Sequence, residues 1–160
     1  MFRSCSPRYV ALQKVQNGDL NWILPGKFLA FCGPHNESKS RNGYTLHAPE
    51  AYFDYFRSHN VRAVVRLNKK LYDAQKFRDA GFEHYDMYFM DGSCPSNEIM
   101  HDFIRLAENT DGGIAVHCKG NTLQCLQDRL AENTDGIIAV RCKGTTMFTR
   151  LEKRYYANNT

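Results

Sequence analysis

His117 and Cys118 close the apolar run Ile114–Val116 and lead directly into Lys119 and Gly120. A cysteine placed where a strand gives way to a glycine-containing loop can serve as a nucleophile. Backbone N–H groups of such a loop, together with the amino end of a following helix, stabilise an anion and lower a thiol's pKa from about 8.5 into the range of about 3.5–7.5. The same N–H groups cradle a phosphate. Taken alone, the dipeptide fits a buried strand-end cysteine beside a hydrogen-bonded histidine better than a reactive one. Metal chemistry is disfavoured by spacing. Cys5, Cys32, Cys94, Cys118, Cys125 and Cys142 contain no C-x-x-C pair, and the interval between Cys118 and Cys125 does not suit a zinc knuckle. Neither a metal nor a cofactor is expected.

The elements that must position the pair alternate between strand and helix. Phe28 to Cys32 reads as a short strand bounded by Gly26 and Gly33, and Val61 to Leu67 is β-branched and alternating. Between them, His35 to Gly43 reads as a polar loop, and a helix is expected from Ala48 with Pro49 in its first turn. A helix over Asp73 to Ala80 stops at Gly81, and a strand over His84 to Phe89 precedes the loop DGSCPS. Ser96 caps a helix whose Ile99, Phe103, Leu106 and Ala107 recur at helical spacing, and Asp111-Gly112-Gly113 ends it before the strand Ile114 to Cys118. This β-α-β-α-β-α-β order predicts an α/β fold: a mostly parallel central sheet flanked by helices, with the site at the strand carboxyl ends. Tyr52, Phe53, Phe56, Tyr85, Tyr88 and Phe89 are expected in the core rather than as stacking platforms for bases.

A local tandem duplication occupies the carboxyl-terminal part. Residues 105–120 read RLAENTDGGIAVHCKG and residues 129–144 read RLAENTDGIIAVRCKG, identical at fourteen of sixteen positions. The two differences are Gly113 against Ile137 and His117 against Arg141. Two copies fall short of the three or more that a solenoid needs.

The remaining composition narrows the function classes. The 160 residues suit one domain with a sizeable core, and 21 Lys and Arg against 17 Asp and Glu leave a net charge of only +4, interspersed without the basic block of a nucleic-acid binder. Lys69-Lys70 reads as a solvated turn, and Ser6-Pro7 offers at most a site for a proline-directed kinase. The longest apolar runs fall far short of the roughly 20 residues that span a bilayer. The amino terminus lacks a secretory signal's apolar stretch of about 7–15 residues, so the expected location is the cytoplasm or nucleus, with thiols reduced. The sequons at Asn36 and Asn158 would then go unused.

Longer stretches of text carry a family resemblance. NGDLNWILPGKFLAFCGP, HAPEAYFDYF, VRLNKKLYDAQKF, DAGFEHYD, DGSCPS and ENTDGGIAVHCK closely resemble the mitotic-exit dual-specificity phosphatases of the cysteine-dependent protein tyrosine phosphatase superfamily. The matching blocks run from about residue 16 to residue 119 in the family's order. The resemblance implies a lead-in over residues 1–15, a partial phosphatase domain over 16–120 and a duplicated or divergent tail over 121–160. Family members also carry an amino-terminal phosphatase-like domain that helps form the substrate groove, for which this length leaves no room. By position, the resemblance makes Cys118 the thiolate that attacks phosphorus, makes Asp91 the acid that protonates the leaving oxygen, and has His117 hold the loop and tune the thiolate. Lys119 and Gly120 would bind phosphate. The partner implied is a phosphoprotein or phosphopeptide, with no nucleic acid or membrane, and the oligomeric state is left open. Asp91 read alone also fits an Asx-type turn.

The text departs from the family after the cysteine. Five glycine-rich residues should precede an arginine whose planar fork grips two phosphoryl oxygens. Here CKGNTLQ places neutral Gln124 at that position. Losing such an arginine costs about 10³–10⁵ in rate, so severely reduced activity is expected, with a non-catalytic binding module or a degenerate fragment as the alternatives. The second copy offers no replacement, because Arg141 precedes its Cys142, Phe148 lies six places beyond and Arg150 is two places too far. The family's long apolar helix after the signature is also missing from the text. Cys94, three residues past Asp91, is a candidate for a redox disulfide with Cys118.

Overall fold

A six-residue run that is buried on both faces, as Val61–Arg66 is apart from Arg62, can only be a central strand covered by helices above and below. The computed structural model, which describes residues 19–41, 44–90 and 93–118, places it so. In chain order the elements are β1 (Asn21–Leu24), β2 (Phe28–Ala30), β3 (Lys39–Arg41), β4 (Tyr44–Leu46), a 3₁₀ turn (Pro49–Tyr52) that runs into α1 (Phe53–Ser58), β5 (Val61–Arg66), α2 (Gln75–Asp79), β6 (Glu83–Asp86), α3 (Asn97–Asn109) and β7 (Gly113–His117). The main sheet runs β1-β2-β7-β5-β6; the last four strands are parallel to one another and β1 is antiparallel to β2. The mostly parallel α/β architecture expected from the sequence is present.

Side chains alternate between two cores. Phe28, Val65, Ile114 and Val116 face Met100, Phe103 and Leu106 of α3. Leu29, Phe31, Val64 and Ala115 face Tyr52, Phe56 and Phe77 on the opposite side. Each such buried side chain is worth about 1.5–3 kcal/mol. The α3 helix starts where the Ser96 hydroxyl accepts the Ile99 N–H at 3.3 Å. It stops at Thr110, whose carbonyl accepts from Lys27 Nζ at 2.7 Å. β7 then begins in a crowded seat: a Cβ on Gly113 would lie 3.1 Å from the Trp22 ring and 3.3 Å from the Val61 Cα.

Three expectations need correction, and one element was missed. The stretch read as a loop from His35 to Gly43 contains β3, which pairs with β4 as a separate antiparallel ribbon, Arg41 opposite Tyr44. Its alternation is polar and leaves no hydrophobic trace, yet the intervening Asn42-Gly43 is the strongest dipeptide signal for a two-residue hairpin. The helix expected from Ala48 opens as a 3₁₀ turn and becomes α-helical only at Phe53. The strand expected over His84 to Phe89 instead spans Glu83–Asp86. Met87 and Phe89 still alternate inward and their N–H groups bond the Arg66 and Leu67 carbonyls, so the periodicity continues after β5 has ended. The edge strand β1 was not foreseen.

Candidate active site

β7 lies between β2 and β5, so its carboxyl end is flanked by the like ends of two parallel neighbours. The Phe31 N–H donates to the Val116 carbonyl at 3.2 Å, and the Leu67 N–H donates to the His117 carbonyl at 3.0 Å. The backbone entering Cys118 is therefore held from both sides. Cys118 is half-buried against the α3-side core. His117, 1% exposed, turns to the other face, where the Phe31 ring meets it edge-on at 5.1 Å.

The His117 ring belongs to a buried polar chain. Its Nε2 lies 2.7 Å from the Tyr72 hydroxyl, and the same hydroxyl lies 2.8 Å from Nε2 of His84 on β6. The Nδ1 atoms of both rings are buried without a hydrogen-bond partner among the described residues. Burial first, and then the His84 and Arg66 charges, hold the His117 pKa well below its ordinary value. Burial outweighs the attraction of Asp86 and pushes His84 down to about 4. Both rings are therefore neutral at pH 7. Burial also raises the Tyr72 phenol, which keeps its proton.

Arg66, opposite His117 in the β5–β7 register and 2% exposed, anchors this chain. Its Nε and one terminal nitrogen donate to the two Asp86 carboxylate oxygens at 2.5 and 2.9 Å. The other terminal nitrogen donates to the Tyr72 carbonyl at 2.9 Å, and the guanidinium sits 4.7 Å from the centre of the Tyr72 ring. Desolvation alone would raise the Asp86 carboxyl, but hydrogen bonding and attraction from Arg66 outweigh it and leave the group below its ordinary value.

The other site residues expected from the sequence divide by position. Asp91, Lys119, Gly120 and Gln124 lie outside the described residues, as do the second repeat copy and the tail over 121–160. The Ser93 N–H and hydroxyl both donate to the Met90 carbonyl, at 2.9 and 2.6 Å. Cys94 is exposed, and Cys32, Cys94 and Cys118 form no disulfide. Among the described residues no three His, Cys, Asp or Glu side chains gather to hold a metal ion, and no helix is long and apolar enough to cross a membrane. Of the six aromatics expected in the core, Tyr52, Phe56 and Phe89 are buried, Phe53 and Tyr85 are half-buried, and Tyr88 is exposed. Sequence reasoning missed Arg66, Tyr72, His84 and Asp86. The available signal was a charged residue, Arg66, inside an apolar strand and a histidine, His84, at the start of another.

Comparison with known proteins bears on this geometry. A family model described as "Polymorphic toxin system, DSP-PTPase phosphatase" matches residues 40–144. The human dual specificity protein phosphatase CDC14A is 66% identical over 111 residues, which cover 69% of this chain and 19% of that protein. The tyrosine-protein phosphatase cdc-14 of Caenorhabditis elegans is 61% identical over 111 residues, 69% of this chain and 16% of that protein. The chain thus spans under a fifth of the length of these relatives. Among solved structures, a putative protein tyrosine phosphatase from Leishmania major covers 71% of this chain and 81% of its own at 19% identity, with a TM-score of 0.45.

Proposed function

Because this chain belongs to the dual-specificity protein phosphatase family, we propose that Cys118 is its phosphoryl-accepting nucleophile and Asp91 its general acid. The thiolate attacks the phosphorus of a phosphoserine, phosphothreonine or phosphotyrosine ester. The P–O bond to the side chain breaks as the S–P bond forms, and Asp91 gives its proton to the departing oxygen. Water then attacks the cysteinyl-phosphate, Asp91 takes its proton, and inorganic phosphate leaves with the thiolate restored. Lys119, Gly120 and the loop N–H groups bind the phosphoryl oxygens, and His117 fixes the backbone from which the thiolate projects.

The observation that supports this reading is the placing of Cys118 at the carboxyl end of the central parallel strand, directly after the fully buried His117. Parallel α/β sheets carry their ligands at this edge. The unit that acts is the segment over residues 16–120. Its substrate is a phosphoprotein or phosphopeptide, and a reducing compartment, cytoplasm or nucleus, suits a reaction that needs a thiolate.

Gln124 in the position of the signature arginine sets the rate. A neutral amide cannot neutralise the charge of the transferring phosphoryl group, so turnover falls by about 10³–10⁵. The same substitution favours the second reading, in which the loop captures a phosphorylated partner without hydrolysing it. Hydrolysis of a generic aryl phosphate by the purified chain, abolished by Cys118→Ser, supports the enzyme. Vanadate binding without hydrolysis supports the capture module, and absence of both overturns the two together.

A further inference from the structure

The Tyr72 hydroxyl stands between two imidazole nitrogens but owns a single proton. It lies 2.8 Å from His84 Nε2 and 2.7 Å from His117 Nε2, and all three residues are buried. Two bare nitrogens cannot both accept one hydrogen. Two N–H groups donating to the same oxygen would leave the hydroxyl proton buried with no acceptor, at a cost of about 1–3 kcal/mol. One ring must therefore donate and the other accept, so the two neutral rings hold opposite tautomers.

The surroundings decide which ring does which. The accepting ring carries its hydrogen on Nδ1, and neither Nδ1 has a hydrogen-bond partner among the described residues. A buried N–H without an acceptor is worse than a bare nitrogen without a donor. His117 is sealed at 1% exposure, with its Nδ1 against Gly33, whereas His84 keeps 6% exposure and its own backbone carbonyl favours a proton on its ring. The hydrogen thus belongs on Nδ1 of His84. His84 Nε2 then accepts the Tyr72 proton, and His117 donates its Nε2–H to the Tyr72 oxygen.

We propose that His84 is a positioning residue for Cys118: through the one hydroxyl proton of Tyr72 it dictates which nitrogen of His117 carries hydrogen, and so the polarity of the ring preceding the nucleophile. This rests on Cys118 being the nucleophile, as proposed above. The groups facing His84 are Tyr72, Asp86 of its own strand, Arg66 of β5, Phe77 and Arg78 of α2, and His117 of β7. Arg78 donates to the His84 carbonyl at 3.1 Å, so the strand stays anchored when the ring is replaced.

The test uses the full chain labelled with ¹⁵N. Two-bond ring correlations at neutral pH are expected to show His84 protonated on Nδ1 and His117 on Nε2. His84→Leu removes the acceptor, turns the Tyr72 proton toward His117 and moves the His117 hydrogen to Nδ1. His84→Gln, whose amide oxygen accepts in the same place, keeps His117 as in the parent. The midpoint of Cys118 alkylation by iodoacetamide, followed against pH by peptide mapping, moves by about half a unit in His84→Leu, roughly threefold in rate at fixed pH, and returns in His84→Gln. Identical tautomers in the two rings, or a His117 signal and Cys118 midpoint that ignore His84→Leu, overturn the proposal. Should His84→Leu fail to fold, Tyr72→Phe removes the shared proton and keeps the ring. A shifted Cys118 midpoint there supports the coupling, and an unshifted one overturns it. Failure of the phosphatase reading shows separately, as vanadate that does not protect Cys118 while the ring signals stand.

Discussion

Gly33 and His117 occupy one space that admits no further atom: a Cβ on Gly33 would stand 2.8 Å from the His117 Nδ1. The ring is held on its other sides by Phe31 and Tyr72 and has nowhere to retreat. Gly33→Ala is expected to lose about 1–3 kcal/mol in urea unfolding and to alter the alkylation rate of Cys118. Gly26→Ala is the comparator, since its φ of +76° strains an alanine but nothing lies within 4 Å. It should cost about 1–2 kcal/mol and leave Cys118 reactivity unchanged.

The Arg66–Asp86 pair is asymmetric, because the arginine is 2% exposed while the carboxylate side chain is 51% exposed. Asp86→Ala strands a buried cation and should cost about 3–5 kcal/mol. Arg66→Met leaves a carboxylate that water can reach and fills most of the vacated volume. It should cost clearly less by urea denaturation, and an equal or reversed order would contradict the geometry.

Acid should weaken the fold from about pH 6.5 downward through the two buried rings. Unfolded histidines titrate near 6.5, whereas His84 titrates at about 4 and burial holds His117 well below 6.5. Between these values the unfolded chain binds protons that the folded chain refuses. The stability from both rings is complete above pH 6.5 and is lost as pH falls toward 4, at about 1.4 kcal/mol per unit for each ring. The Asp86 contribution is lost only below the ordinary carboxylate range, since its pKa is lowered. Melting curves from pH 7 to 4.5 should show the decline, and His84→Gln should reduce its slope by about half.

Gln124→Arg, with glycines introduced between Gly120 and that position, restores the family's loop. Aryl phosphatase kcat is expected to rise by about 10³–10⁵. No gain, in a chain that still melts cooperatively, would assign the loss of activity to something other than the arginine.

The succession of strands and helices was readable because Val61–Arg66 and Ile114–Val116 carry enough β-branched and apolar residues to declare themselves strands, and Ser96 announced its helix. The place of His117 and Cys118 at a strand end was readable from the apolar run before them, whereas the roles proposed for them came from the family resemblance. The links of Tyr72 to Arg66, His84 and His117 were not readable, because partners 6, 12 and 45 residues apart meet only once strand register is fixed. A sequence gives each residue's type but not its neighbour across a parallel sheet. The β3–β4 ribbon escaped for a different reason: it buries too little to leave an apolar pattern.

The tight seat of Gly113 settles a contest that the duplication creates. Two segments identical at fourteen of sixteen positions have nearly equal local preference for the same slot, which would give the sheet two competing occupants. Their two differences fall where the slot is least forgiving. Isoleucine in place of Gly113 would collide with the Val61 backbone and the Trp22 ring, and arginine in place of His117 would bury a second cation beside Arg66. The earlier copy holds the central position, and a pair of side chains is enough to favour it over a segment otherwise nearly identical.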